Sequence, residues 1–138
     1  MSAHVEDLAE DACYRRLAEV PFGRVVATAG ALPLVVPVNH RLDGHAVVFR
    51  TSQGSRLGAA TRKAVVAFEV DDIDPVLRCG WSGVMTGVAS PVTAVSDVLR
   101  LEQLGLAPWG PGAKEHWVRI VPGILTGRHL STPLPQGA

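Results

Sequence analysis

The chain has 138 residues, and its 13 basic and 13 acidic side chains cancel, so no global charge attracts nucleic acid or a membrane surface. Apolar residues make up 47% of the sequence, without an uninterrupted run of the roughly 20 that a membrane span needs. The start of the chain is acidic and does not resemble a signal peptide, so we expect a cytoplasmic protein. The length favours one domain over residues 1–130, followed by a flexible, Pro- and Gly-rich tail over 131–138.

The cysteines and histidines do not indicate a metal site. Cys13 and Cys79 are too few for a disulfide scaffold, and no histidine pair has the spacing of metal ligands. We therefore expect no metal.

The chain begins with helical periodicity and then changes to short β-branched runs. Apolar residues recur at helical spacing over 5–20, and Pro21 ends this predicted helix. A second helix is predicted to begin near Leu57 and a third to cover 92–106. Six strands are predicted, the last in two pieces, over 23–28, 34–41, 45–50, 64–69, 79–89, and 116–121 with 124–128.

Turn residues and prolines indicate how these strands are arranged. Asp43-Gly44 predicts a hairpin between two of them. Pro33 and Pro37 lack backbone donors, so their strand is expected at a sheet edge or opening around a ligand. Six short strands with three irregularly placed helices favour a mainly β fold, an antiparallel barrel with flanking helices.

A polar cluster at residues 49–57 is the strongest functional signal. Arg50, Thr51, Ser55 and Arg56 lie between a short apolar strand and a predicted helix, which Ser55 or Gly54 could cap. Guanidiniums, hydroxyls and free N–H groups at a helix start are the donors that hold a phosphate. The alternative is a solvated turn whose arginines extend into water.

The order of these segments resembles the pyridoxamine 5′-phosphate oxidase-like FMN-binding split barrels, in the small single-domain actinobacterial form. The resemblance covers about residues 12–128. It rests on a series of short motifs, Val36-Pro37-Val38-Asn39, Val48-Phe49-Arg50-Thr51, Gly54-Ser55-Arg56-Leu57, Ala67-Phe68-Glu69-Val70-Asp71, Gly80-Trp81-Ser82, Pro108-Trp109 and His116-Trp117-Val118-Arg119-Ile120. It implies a six-stranded antiparallel split β-barrel with flanking helices, and a homodimer with FMN at the interface.

The same resemblance implies which residues bind the cofactor. The FMN phosphate would lie near Arg50, Thr51, Ser55 and Arg56, with Leu57 next to them, and the flavin ring edge along Pro37, Val38 and Asn39. Trp81, Ser82, Trp117 and Arg119 would approach from a neighbouring strand or from the partner subunit. The tryptophans have core packing as an equal alternative.

The function that follows is an FMN-dependent oxidoreductase, with reduced nicotinamide as a possible electron donor and an unidentified small organic acceptor. Two alternatives stay open: a deazaflavin-dependent reductase, and a protein that binds or stores flavin without turnover. A purely structural domain is disfavoured by the polar cluster, and no segment matches the substrate-phosphate arginines of a true pyridoxamine phosphate oxidase. His40 is the candidate proton donor, with an ordinary strand histidine as the alternative.

Overall fold

One curled antiparallel sheet forms most of the molecule in the computed structural model, which describes residues 4–52, 54–110 and 114–132. Its strands are β1 (His4–Asp7), β2 (Phe22–Ala29), β3 (Leu32–Asn39), β4 (Arg41–Asp43), β5 (Ala46–Thr51), β6 (Ala64–Asp74), β7 (Cys79–Pro91) and β8 (His116–Ser131). The helices are α1 (Glu10–Glu19), α2 (Arg56–Ala60) and α3 (Val95–Glu102).

The strands follow the order β3-β2-β6-β7-β8-β5-β4, with β1 also paired to β8. The long strand β8 pairs with β7 along most of its length, while its first residues pair with β5 and its last with β1. The sheet curls until β3 and β5 approach each other. In the described part of the chain no ladder joins these two strands, so the barrel is split there.

Buried and exposed side chains alternate along the strands, so one face of the sheet packs in the core. On β6, Val66, Phe68 and Val70 are buried while their neighbours face outward. Strand β5 is covered on both faces: Val47 and Phe49 enter the barrel core, whereas Val48 packs with Trp117 under α3 and the loop after it. Consequently β5 is held rigidly between two apolar layers, next to the split.

Strand β8 is continuous because a β-bulge accommodates the register shift of the β7–β8 ladder between Thr86 and Gly87. A Cβ at Gly87 would lie 1.9 Å from the carbonyl oxygen of Val121, so only glycine permits this close approach. The prediction of two separate pieces for this strand was wrong, since the local kink does not interrupt pairing.

The split-barrel class and its three helices are confirmed, but the predicted strand number was too low. Residues 4–7 form β1, because pairing with β8 satisfies their backbone, whereas 5–7 were predicted to begin the first helix. His40 interrupts the predicted strand 34–41 and separates β3 from β4. The third helix is shorter than predicted, beginning at Val95.

The predicted edge strand and hairpin are confirmed. Strand β3, which carries Pro33 and Pro37, lies at the end of the sheet order, where a missing N–H costs no ladder bond on the open side. Asp43 pairs with Ala46 across the β4–β5 turn, and Gly44 has the positive φ of 61° that the turn requires.

Two residues of the predicted tail, Ser131 and Thr132, lie within the described part of the chain. Ser131 belongs to β8 and pairs with His4, and the hydroxyl of Thr132 donates to the carbonyl oxygen of Arg78 at 2.7 Å. The remainder, 133–138, lies outside the described residues. No helix in the described ranges is both long and apolar enough to cross a membrane.

Candidate functional site: the cavity between β3 and β5

A cavity of about 400 Å³ lies at the split between β3 and β5. Its floor and walls come from residues 36–39 of β3, from Arg50 and Thr51 at the end of β5, and from Leu57 of α2. Phe22, Pro108, Trp109, Gly110 and Lys114 complete its lining. The volume lies within the range of small-molecule sites, and the lining is mainly apolar with a few polar groups. This is the typical composition of a cofactor or substrate pocket.

Arg50 is one of two cationic residues in the described lining of this cavity. Its Nη1 donates a long hydrogen bond of 3.4 Å to the carbonyl oxygen of Leu106, and its guanidinium carbon lies 5.4 Å from the centre of the Trp117 ring. Its Nε is buried and has no hydrogen-bond partner. A buried donor without an acceptor is costly, and an acceptor on a ligand beside this guanidinium would offset that cost.

The turn after β5 is organised by Ser55. Its hydroxyl donates to the carbonyl oxygen of Ser52 at 2.8 Å and accepts from the backbone N–H of Gly58 at 2.9 Å, which makes Ser55 the N-cap of α2. The hydroxyl of Thr51 lies 3.2 Å from the same oxygen. Because the only hydroxyl proton of Ser55 is committed to Ser52, Thr51 is the donor in this pair. The two hydroxyls therefore build the turn.

Asn39 contacts the loop on the far side of the cavity. Its Nδ2 donates to the carbonyl oxygen of Ala107 at 2.5 Å, and its Oδ1 accepts from the backbone N–H of Trp109 at 3.3 Å. Pro37 and Val38 contribute only apolar surface and backbone to the lining. Asn39 thus joins β3 to the loop that carries Trp109.

Several lining residues were not predicted from the sequence as site residues. Trp109 was noted only as part of a family motif and an apolar loop, and its ring lies 5.7 Å from that of Phe22. Lys114 is partly buried and follows a Pro- and Gly-rich loop. An isolated lysine after such a loop carries no recognisable pattern, whereas an exposed Trp between Pro and Gly could have indicated a binding surface.

Other predicted site residues lie away from the cavity within this chain. Arg56 is exposed and lines a separate depression with Thr28 and Ala59. Trp81 is buried in the barrel core beneath the guanidinium of Arg16, at a distance of 5.4 Å, and Ser82 is its neighbour on β7. Any predicted contact of Arg56, Trp81 or Ser82 with a ligand in this cavity would have to be made by the corresponding residue of a partner subunit.

Trp117 and Arg119 lie on the side of β8 that faces α3. The Trp117 indole nitrogen donates to Glu102 at 2.9 Å, so this buried ring supports Arg50 from behind. Arg119 donates to Asp43 at 3.0 Å, and Arg100 donates to the same carboxylate. The hydrogen bond from Arg100, with that from Arg119, lowers the pKa of Asp43 below its usual value. Arg119 is thus engaged in a structural ion pair.

His40 lies between β3 and β4, outside the cavity lining. Its Nε2 is 2.9 Å from the carbonyl oxygen of Leu17, so the proton is on that nitrogen, while Nδ1 is buried without a partner. Its ring packs against the edge of Phe68 at 4.8 Å. Burial lowers its pKa below the usual value. This geometry favours the structural alternative over the proton donor.

Within the described ranges, no three His, Cys, Asp or Glu side chains are grouped closely enough to hold a metal ion. The charged groups of the cavity lining are Arg50 and Lys114, both cationic. The described lining therefore offers positive charge and apolar surface, with no carboxylate among its residues.

Comparison with known proteins agrees with this fold. Residues 9–129 match the family model described as pyridoxamine 5′-phosphate oxidase. The chain is 42% identical over 128 residues to the uncharacterized protein Rv0080 of Mycobacterium tuberculosis, covering 89% of this chain and 84% of that protein.

Two solved structures have closely similar folds. One is the FAD binding protein from Mycobacterium smegmatis, with a TM-score of 0.82 and 34% identity, covering 93% of this chain and all (100%) of that one. The other is a conserved protein of unknown function from Corynebacterium diphtheriae, with a TM-score of 0.77 and 31% identity, covering 91% of this chain and 97% of that one.

Proposed function

Because the chain belongs to the pyridoxamine 5′-phosphate oxidase family, we propose that it is a flavoprotein that binds a phosphate-bearing flavin in the cavity between β3 and β5. The observation that carries the proposal is Arg50, a lining residue of this mainly apolar cavity, whose buried Nε has no hydrogen-bond partner in the described chain. A flavin combines a flat apolar ring with an anionic phosphate, and this cavity combines apolar walls with cations.

Each part of the cavity has a role in this proposal. Arg50 binds the phosphate or pyrophosphate, and Lys114 adds a second positive charge to the lining. Pro37 and Val38 of β3 and Leu57 of α2 exclude water from the ring. FMN is the form we favour, with FAD as the alternative supported by the FAD binding protein of Mycobacterium smegmatis.

The proposed activity is that of an oxidoreductase in which the flavin supplies hydride or electron transfer when it is bound. The chain's own residues bind, orient and shield it. None of the described lining residues is a carboxylate or histidine, and the proton on His40 is held by Leu17.

A homodimer is part of the proposal, because the outer face of the sheet carries an apolar patch. Val65, Val88 and Val121 are paired neighbours on β6, β7 and β8, and each is about half exposed or more, at 68%, 46% and 54%. Val35 and Ile124 extend the patch. A contiguous exposed apolar surface of this kind marks an interaction site, and a second copy of this chain is the partner proposed for it.

The test is the visible spectrum of the purified protein, followed by titration of the flavin-free protein with FMN, FAD and riboflavin. We expect an oxidised flavin spectrum and tighter binding of FMN than of riboflavin, because only FMN offers an anion to Arg50. Addition of reduced nicotinamide without oxygen should then bleach the bound flavin. The proposal fails if none of the three flavins binds, and bleaching is what separates an oxidoreductase from a storage protein.

A further inference from the structure

The loop opposite β3 is hydrogen-bonded to Asn39 at the end of that strand. We propose that Asn39 is a positioning residue that holds Trp109 beside the cavity, and that Trp109, paired with Phe22, is the surface on which the flat ring of the ligand stacks. This rests on the proposed function, since the ring is that of the flavin. It also assigns Asn39 a role different from the direct contact with the ring edge that the sequence predicts.

Asn39 holds the loop through its side-chain amide. Both ends of its amide are used on one short loop segment, Nδ2 on the carbonyl oxygen of Ala107 and Oδ1 on the backbone N–H of Trp109. An asparagine amide that pairs with both a donor and an acceptor of the backbone fixes the loop in one orientation. Asn39 is at the end of β3, directly opposite Phe22 in the β2–β3 ladder. The same strand pair therefore positions both aromatic residues.

The aromatic pair of Trp109 and Phe22 is exposed to solvent. Trp109 is 66% exposed and Phe22 is 42% exposed, although both line the cavity and their rings are 5.7 Å apart at a tilt of 52°. Leaving this much ring surface in water forfeits the stabilisation that burial would supply. A flat ligand ring that covers the indole recovers it.

The cavity that contains this pair is lined by both apolar and cationic residues. The apolar part of the cavity lining includes Trp109, Pro108 of the same loop and Val38 of β3. The cations Arg50 and Lys114 belong to the same cavity. The chemical class that fits is thus a flat ring joined to an anionic chain, with the ring against Trp109 and the anion at Arg50.

The first experiment examines the flavin-free protein and is independent of ligand. Trp81 and Trp117 are buried, at 7% and 2% exposure, so quenching of tryptophan fluorescence by acrylamide reports mainly on Trp109. Asn39→Leu has similar volume and removes both hydrogen bonds. In this variant we expect stronger quenching of tryptophan fluorescence by acrylamide and a faster decay of fluorescence anisotropy, because the loop that carries Trp109 is released. Quenching equal to that of the wild-type protein would overturn the positioning role.

The second experiment measures flavin affinity in a double-mutant cycle. Trp109→Ala should weaken FMN and riboflavin alike, by about tenfold, since both share the ring. Asn39→Leu should have a similar effect, and the double variant should bind no worse than Trp109→Ala, because Asn39 acts through Trp109. Trp109→Phe retains a ring and should restore most of the affinity.

The outcomes separate this inference from the proposed function. If the wild-type protein binds no flavin, both the proposed function and the ring contact fail. If the wild-type protein binds flavin and Trp109→Ala binds it equally well, the ring contact alone fails. Dissociation of a dimer by Trp109→Ala with unchanged affinity would assign this tryptophan to a contact between copies and also overturn the inference.

Discussion

The guanidinium of Arg50 lies over the ring of Trp117, with 5.4 Å between its central carbon and the ring centre. The two residues are paired across β5 and β8, and the Trp117 indole is fixed by Glu102 of α3. A cation over an indole is stabilised without using its hydrogen-bond donors. The tryptophan thus orients Arg50, whose Nη1 makes a long hydrogen bond to Leu106 while its Nε has no partner in the described chain.

The first prediction is that Arg50→Ala weakens FMN binding by about thirtyfold, because removing a charge-assisted partner of a desolvated phosphate costs about 2 kcal/mol. Riboflavin, which has no phosphate, should bind nearly as well as to the wild-type protein. Arg62→Ala is the matched control, since it removes one exposed positive charge outside the lining. Calorimetric titration with both flavins makes the measurement, and equal losses for FMN and riboflavin would place Arg50 away from the phosphate.

A second prediction separates Arg56 from Arg50. The sequence predicts equal roles, but Arg56 lines a different depression and is exposed. We expect Arg56→Ala to weaken FMN binding by less than about threefold at physiological salt, since a long-range contribution from an exposed charge is screened. The loss should disappear at high salt. A loss as large as that of Arg50→Ala, and independent of salt, would restore the predicted direct contact.

The sequence was sufficient for the class of fold and for the polar turn. Alternating β-branched runs, Asp43-Gly44 and the edge prolines are local signals, and the structure keeps them because local preference and long-range pairing agree. Strand β1 was missed because its four exposed residues have no pattern of their own and gain structure only from β8. Residues brought together across the split, such as Asn39 and Trp109, are 70 positions apart, so no local pattern records their contact.

A third prediction tests whether Ser55 builds the turn or binds the phosphate. Ser55→Ala removes the N-cap of α2 and should lower the free energy of unfolding by about 1 kcal/mol. Ser55→Asp keeps a capping oxygen, so its stability should stay near that of the wild-type protein. The new carboxylate would repel an anion, so FMN affinity should fall in Ser55→Asp while riboflavin affinity changes little. Chemical denaturation and flavin titration of both variants make the comparison, and unchanged FMN binding in Ser55→Asp would remove the phosphate from this turn.

A fourth prediction concerns the apolar patch on the outer sheet face. Val65→Lys and Val88→Lys each place a charge at its centre, and we expect either to convert the proposed dimer to a monomer at micromolar concentration. Val95→Lys is the control, because Val95 is also highly exposed but lies on α3. Sedimentation equilibrium measures the mass. A wild-type monomer with flavin bound would contradict the dimer.

The last prediction is a pH dependence of stability that originates in Glu69. Arg24 donates to Glu69 at 3.1 Å and to Asp71 at 3.3 Å, so one guanidinium faces two carboxylates on the same sheet face. Burial and the neighbouring Asp71 raise the pKa of Glu69 from 4.5 to about 7. The folded protein therefore binds a proton that the unfolded chain releases above pH 4.5. Stability from this group is complete below that pH and is lost as the pH rises through about 7.

Glu69→Gln isolates this contribution, because it resembles the protonated side chain at every pH. We expect the variant and the wild-type protein to have similar stability at pH 4.5, and the variant to be more stable at pH 8 by on the order of 1 kcal/mol, since partial exposure screens the effect. Burial lowers the pKa of His40, which gives a slope of opposite sign below about pH 6.5, but that slope is common to both proteins and cancels in their difference. Urea unfolding from pH 4.5 to 8 measures the difference, with Glu115→Gln as a control for loss of one exposed charge. A stability difference that is constant across this pH range would show that Glu69 ionises at its ordinary pKa.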